Sequence, residues 1–140
     1  MAKVLISPGK YVQGAGEMKK LGEYAQNYGK KALILISKGG YKRIGAMVEK
    51  SFEGKECGYV FDYFNGECSK KEIKRLGEIV KKEACDVVIG IGGGKIFDTA
   101  KAVAYYEKTP VLICPTIAST DAPCSALSVI YTEEGVFEEY

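Results

Sequence analysis

The stretch with the clearest chemistry is Gly90-Ile91-Gly92-Gly93-Gly94-Lys95, which lies where a strand-like run gives way to a helical pattern. Three consecutive glycines lack Cβ atoms, so backbone amides there can come close to an anion. A helix starting at Gly94 adds free N–H groups and the positive end of its dipole, and Lys95 adds a point charge. Together these residues read as a cradle for a phosphate or pyrophosphate. The alternative is a tight strand-to-helix turn that holds nothing. Neither familiar template is met. A P-loop needs glycine where Ile89 stands and Ser or Thr where Ile96 stands. The fingerprint G-x-G-x-x-G needs glycine at Lys95, and the next strand closes in Cys114-Pro115 with no acidic residue. Asp98 is expected in the first turn of the helix. There it either complements the dipole, or accepts the loop's amides or a ligand hydroxyl.

A second polar stretch, Pro115 to Ser125, leaves the C-terminal end of a strand, which is where open α/β sheets place their ligands. Thr116, Ser119, Thr120 and Ser125 supply four hydroxyls suited to ribose, phosphate or polyol recognition. Asp121, the only carboxylate in the stretch, is the natural partner for a substrate hydroxyl. Local turn capping by Ser and Thr is the competing explanation.

Other chemistries are removed by the inventory. There is no histidine, hence no His general base and no His metal ligand. The five cysteines, Cys57, Cys68, Cys85, Cys114 and Cys124, form no C-x-x-C pair and read mostly as core, so free thiols in a reducing cytoplasm are expected. No metal site can be assembled. The net charge of +2 is too balanced for the basic stripe of a nucleic-acid binder. The longest apolar run falls well short of the ~20 residues that span a bilayer.

At 140 residues the chain is long enough for one domain with a real core. Short Val/Ile/Leu/Tyr-rich runs at Val4–Ser7, Ala32–Ser37, Gly58–Phe64, Asp86–Ile91 and Pro110–Cys114 read as strands. Between them lie helical spacings: Met18, Leu21, Ala25 and Tyr28; Ile44, Val48 and Phe52; Ile73, Leu76, Val80 and Ala84. Ser69 and Glu72 form an S-x-x-E capping box for the third helix. Lys70, Lys71, Lys74, Arg75, Lys81 and Lys82 are expected on its solvated face. A fourth helix is predicted from Gly94 to about Glu107. The alternation predicts an α/β fold with a doubly wound, mostly parallel Rossmann-like sheet. Ser128–Thr132, the Glu133-Glu134-Gly135 turn and Val136–Tyr140 then predict a C-terminal β-hairpin. The chain stops inside that last strand, so a truncated chain is expected.

Gly90 to Lys101, reading GIGGGKIFDTAK, resembles the GGGK/S-x-x-D signature of the iron-containing alcohol dehydrogenase and dehydroquinate synthase-like superfamily. Pro115 to Thr132, reading PTIASTDAPCSALSVIYT, narrows the resemblance to the glycerol dehydrogenases. Ser7-Pro8-Gly9-Lys10-Tyr11 and Gly66-Glu67-Cys68-Ser69 agree with it, so the resemblance spans nearly the whole chain.

The resemblance implies the N-terminal dinucleotide-binding domain, residues 1–140, of an NAD-dependent, homo-oligomeric, cytoplasmic enzyme that oxidises glycerol to dihydroxyacetone. It places the pyrophosphate on Gly93, Gly94 and Lys95, with Asp98 in support. Thr116 and Ser119 fall on the adenine and phosphate side, Ser125, Leu127 and Tyr131 at the nicotinamide end, and Asp121 at the glycerol hydroxyls. A divalent metal, usually zinc, polarises the carbinol in such enzymes. Its ligands belong to a helical C-terminal domain absent from these residues, so no catalytic residue and no activity are expected of this chain alone. Glycerol dehydrogenases typically carry aspartate where Ser37 stands. A serine there, followed by Lys38, weakens the expected discrimination against NADP. Two alternatives share the glycine loop: a fragment of a dehydroquinate synthase-like lyase or sugar-phosphate dehydrogenase, and a stand-alone nucleotide-binding module.

Overall fold

The computed structural model describes residue 2 and residues 8–140; the strand expected at Val4–Ser7 lies outside the described residues. Four strands form one parallel sheet in the order β2-β1-β3-β4: β1 (Lys31–Ile36), β2 (Gly58–Tyr63), β3 (Val87–Gly92) and β4 (Val111–Pro115). The connections are α2 (Lys38–Phe52), α3 (Lys70–Lys82) and α4 (Gly94–Glu107). A short β5 (Ile130–Tyr131) pairs antiparallel with β6 (Phe137–Glu139) as the C-terminal hairpin.

Strand order dictates where the helices go. The chain moves from β1 outward to β2, then crosses back over β1 to β3 and on to β4. Right-handed crossovers therefore put α2 on one face and α3 and α4 on the other. The core divides accordingly. Ala32, Ile34, Ile36, Val87, Ile89 and Ile91 pack with Val48 and Phe52 of α2, while Leu33, Leu35 and Val88 pack with Leu76, Val80, Ala100 and Val103 of α3 and α4. β1, flanked by neighbours on both sides, is buried at five of its six residues. β4 is a sheet edge among the described strands and only half-buried, so Cys114 closes a half-buried strand rather than the buried one expected.

Three local expectations change. The Met18–Tyr28 periodicity yields a 3-10 turn at Glu17–Lys20 and a five-residue α1 (Leu21–Ala25), so Tyr28 lies beyond the helix. Gly22 sits so close to α2 that a Cβ would fall 2.3 Å from the Ser51 carbonyl oxygen. Only half of the capping box forms: Ser69 Oγ accepts the Glu72 amide at 3.2 Å, but the Glu72 carboxylate does not return the bond. It is fully buried and binds Arg75 through both oxygens, at 2.9 and 2.6 Å. Arg75 also reaches Asp62 at 2.8 Å, so it belongs to an ion-pair network and not to the solvated face. Lys70 and Lys71 do lie on that face. They tie the hairpin down through Glu138, Glu139 and Glu133.

Candidate functional site

The strand order reverses between the parallel strands β1 and β3, whose connections leave toward opposite edges. Open α/β sheets form their ligand crevice at the carboxyl ends of such a pair. Ile36 is in register with Ile91, and Gly92 with Pro115. Ser37, the Gly92–Gly94 turn and Thr116 therefore follow directly on three adjacent strands, along one edge.

The four glycines of the turn serve different ends. Gly90 lets α4 rest on β3, because a Cβ there would fall 2.8 Å from that of Ala100. Gly92 adopts φ +147°, a conformation that disfavours side chains, and a Cβ would meet Ile96 Cδ1 at 2.7 Å. Gly93 and Gly94 are not required by packing. A Cβ on Gly93 meets nothing within 4 Å, and one on Gly94 would make only ordinary contact with Thr120 at 3.7 Å. They open a 14-residue helix whose N-cap, Gly93, supplies no side-chain bond to the first-turn amides. Bare amides, a dipole end and free volume meet there, the physical requirements for an anion.

Lys95 is not free at this end. Its ammonium lies 2.8 Å from Glu67 Oε2, and that hydrogen bond holds its pKa above the usual lysine value. Ser37 caps α2, accepting the Gly40 amide at 3.0 Å and keeping its own proton to donate.

Residues 116–131 run along the same end. Thr116 bonds back to the Gly92 carbonyl through its amide at 3.1 Å and its hydroxyl at 3.3 Å. Ser119 and Asp121 are exposed, and Asp121 provides no side-chain cap to the 3-10 turn Ala122–Cys124. Ser125 Oγ accepts the Leu127 amide at 3.1 Å, and the Leu127 side chain is exposed. Tyr131 is held beside the loop before α3 by its amide bond to the Cys68 carbonyl, 2.8 Å.

Asp98 departs from expectation. It occupies the fifth position of α4, in the second turn, and its Oδ2 accepts the Val129 amide at 3.2 Å. Its Oδ1 pairs with Lys101 at 3.1 Å. Its carboxylate anchors the approach to the hairpin instead of ordering the glycine turn.

Two residues escaped the sequence. Lys101 is nearly buried and donates to the carbonyls of Ala122, Ser125 and Leu127, so one ammonium gathers the polar loop onto α4. Its one signal was a lysine between Ala100 and Ala102 on a largely apolar helix. Glu67, the partner of Lys95, is 28 residues away in sequence; the Gly66-Glu67-Cys68-Ser69 stretch belongs to the resemblance, but nothing local tied Glu67 to Lys95.

Residues 8–139 match the iron-containing alcohol dehydrogenase family. The glycerol dehydrogenases of Thermotoga maritima and Escherichia coli are 51% and 50% identical to the chain over its full length, which corresponds to 38% of each of those proteins. Among solved structures, a probable glycerol dehydrogenase from Sinorhizobium meliloti superposes with a TM-score of 0.89 at 42% identity, covering 99% of this chain and 37% of its own. An NADH-dependent butanol dehydrogenase from Thermotoga maritima superposes with a TM-score of 0.84 at 26% identity, covering 95% and 39%. The chain thus spans a little over a third of the length of these relatives, and it belongs to the iron-containing alcohol dehydrogenase family.

Proposed function

We propose that this chain is the dinucleotide-binding part of an NAD-dependent polyol dehydrogenase that oxidises glycerol to dihydroxyacetone. The observation that carries this reading is the uncapped start of α4, where Gly93 and Gly94 leave space that the fold itself does not need. A pyrophosphate suits that space. It would accept first-turn amides, with Lys95 as counter-charge. Ser37, at the end of β1, lies where an adenosine ribose would reach across the crevice. Thr116 and Ser119 would face the adenine and phosphate side. Ser125, Leu127 and Tyr131 would line the nicotinamide end, with Asp121 toward the polyol hydroxyls. A nicotinamide held there would supply hydride-acceptor chemistry for the carbinol carbon of the polyol.

The metal of this family finds no comparable fit. No group of three His, Cys, Asp or Glu side chains converges among the described residues. We therefore assign metal binding and turnover to residues outside this chain, in a homo-oligomeric enzyme, and expect the 140 residues alone to oxidise no glycerol. A fluorescence titration with NADH tests the cofactor assignment. Saturable binding to the chain, abolished in a folded Gly94→Val variant, is the expected result. Equal binding by both would place the cofactor elsewhere.

A further inference from the structure

Beside the glycine turn stands an acid that the proposed phosphate binding does not call for. Glu67 sits in the loop between β2 and α3, opposite the start of α4, and its Oε2 lies 2.8 Å from the Lys95 ammonium. The two partners are unequal. The Lys95 side chain is 58% exposed, that of Glu67 only 17%.

The loop is built to hold the carboxylate still. Gly66 turns the chain at φ +113°, Asn65 Oδ1 accepts the Glu67 amide at 3.1 Å, and Glu67 Oε1 accepts the Cys68 amide at 3.2 Å. The hairpin closes the other side, with a Cβ at Gly135 falling 3.7 Å from Oε2. Lys95, by contrast, is a flexible stem whose compact charge can swing between acceptors.

We propose that Glu67 is an internal counter-ion that competes with the ligand's phosphate for Lys95, and so sets the affinity of the glycine turn for anions. This rests on the reading that the start of α4 takes a pyrophosphate. In the free chain Lys95 is paired with a carboxylate held in place. An incoming diphosphate must draw the ammonium away, leaving the Glu67 carboxylate with its one backbone tether, the Cys68 amide. Binding is then an exchange of one anion for another at Lys95, and its free energy is a difference between two ion pairs. The fixed negative charge beside the turn also disfavours weakly charged anions, which offer the ammonium no more than Glu67 already does.

The test is ADP titration, by calorimetry, of the 140-residue chain and of Glu67→Gln, Lys95→Met and the double variant, each first shown by thermal melting to be folded. Glutamine keeps the amide tether and removes the charge. Glu67→Gln is expected to tighten ADP binding about two- to fivefold, the range of a partly exposed ion pair. Lys95→Met weakens it, and in the Lys95→Met background Glu67→Gln should have no further effect. Weaker or unchanged binding in Glu67→Gln overturns the proposal, since Glu67 would then be orienting Lys95 or be idle. Equal tightening with and without Lys95 also overturns it, because the carboxylate would be acting on the ligand directly. ADP binding by none of the four folded chains would instead sink the phosphate reading, and this proposal with it.

Discussion

The Asp98 carboxylate joins two segments at once: Oδ1 stands 3.1 Å from the Lys101 ammonium, and Oδ2 accepts the Val129 amide at 3.2 Å. Lys101, one turn further along α4, holds three carbonyls of the 122–127 segment. The charged pair is shielded, with side chains 10% and 14% exposed, so it keeps more of its Coulomb energy than a surface pair would. The loop carrying Ser119, Asp121 and Ser125 is thus organised from the helix whose first turn faces the crevice.

Lys101→Met should therefore cost more than a surface lysine does. It leaves the Asp98 carboxylate without its cation and three carbonyls without their donor, a loss of about 3 kcal/mol in urea unfolding. Amide exchange at Leu127 and Val129 should accelerate well before global unfolding. Unchanged protection at both amides would show that the loop is held by other contacts.

The turn glycines should separate into structural and binding classes. Gly92→Ala forces a side chain onto φ +147° and against Ile96, and should destabilise the chain by about 1–3 kcal/mol. Gly94→Ala should leave the melting temperature unchanged or slightly raised, because alanine is favoured in a helix and the site is open. Its effect should appear in NADH binding alone. A Gly94→Ala chain as unstable as Gly92→Ala would mean that the glycine at position 94 is structural.

How much of this was legible depended on whether the signal was local. The bounds of α4 follow from Gly94 and the apolar spacing of Ile96, Phe97, Ala100 and Val103, and the structure reproduces them, Gly94–Glu107. The hairpin follows from the Glu133-Glu134-Gly135 turn, yet its strands shrink to Ile130–Tyr131 and Phe137–Glu139. The Val129 amide is bonded to Asp98 instead of a strand partner, and an irregularity interrupts the pairing at Ile130 and Tyr131. Glu72 has capping-box spacing, but Arg75 and Asp62 build a network that takes its carboxylate. Glu67–Lys95 and the three carbonyls on Lys101 join residues more than 20 positions apart, which no periodicity encodes. That Ser37, the glycine turn and Thr116 follow three adjacent strand ends was legible, because each closes a strand-like run. Their mutual bonding was not.

At the opposite end of the sheet, Asp86 ties down the entry to β1. Its carboxylate accepts the amides of Lys30 at 2.8 Å and Lys31 at 2.9 Å, and Gly29 packs so close that a Cβ would fall 2.3 Å from Oδ1. Desolvation pushes its pKa up, but the backbone amides of Lys31 and Lys30 outweigh it, and the net shift is downward. A depressed folded-state pKa adds stability above the unfolded value of about 3.9, and that stability is lost as pH falls through the folded pKa. Asp86→Asn should cost about 0.5–1 kcal/mol at pH 7 in urea unfolding, the modest figure of hydrogen bonds at an exposed carboxylate, with the gap narrowing as pH falls below the unfolded value of about 3.9. A gap that persists undiminished at pH 2 would show that charge on Asp86 contributes nothing. NADH binding should be untouched, since the residue lies at the amino end of the sheet.

In the proposed site, Ser37 stands where a cofactor's 2′-phosphate would be told from a 2′-hydroxyl. A carboxylate at the end of β1 would accept both ribose hydroxyls and repel a 2′-phosphate, whereas Ser37 offers one hydroxyl already engaged in capping α2. The neighbouring Lys38 ammonium lies over the Tyr63 ring at 6.0 Å, on the same side of the sheet end, and adds positive charge. NADH and NADPH should therefore bind this chain with affinities within about tenfold of each other, a gap of about 1.4 kcal/mol. Ser37→Asp keeps an acceptor for the Gly40 amide, so the helix should remain capped while NADPH affinity alone falls. Titrating both cofactors against both chains is decisive. If NADPH already binds more than a hundredfold more weakly to the unaltered chain, the discrimination comes from a group other than residue 37.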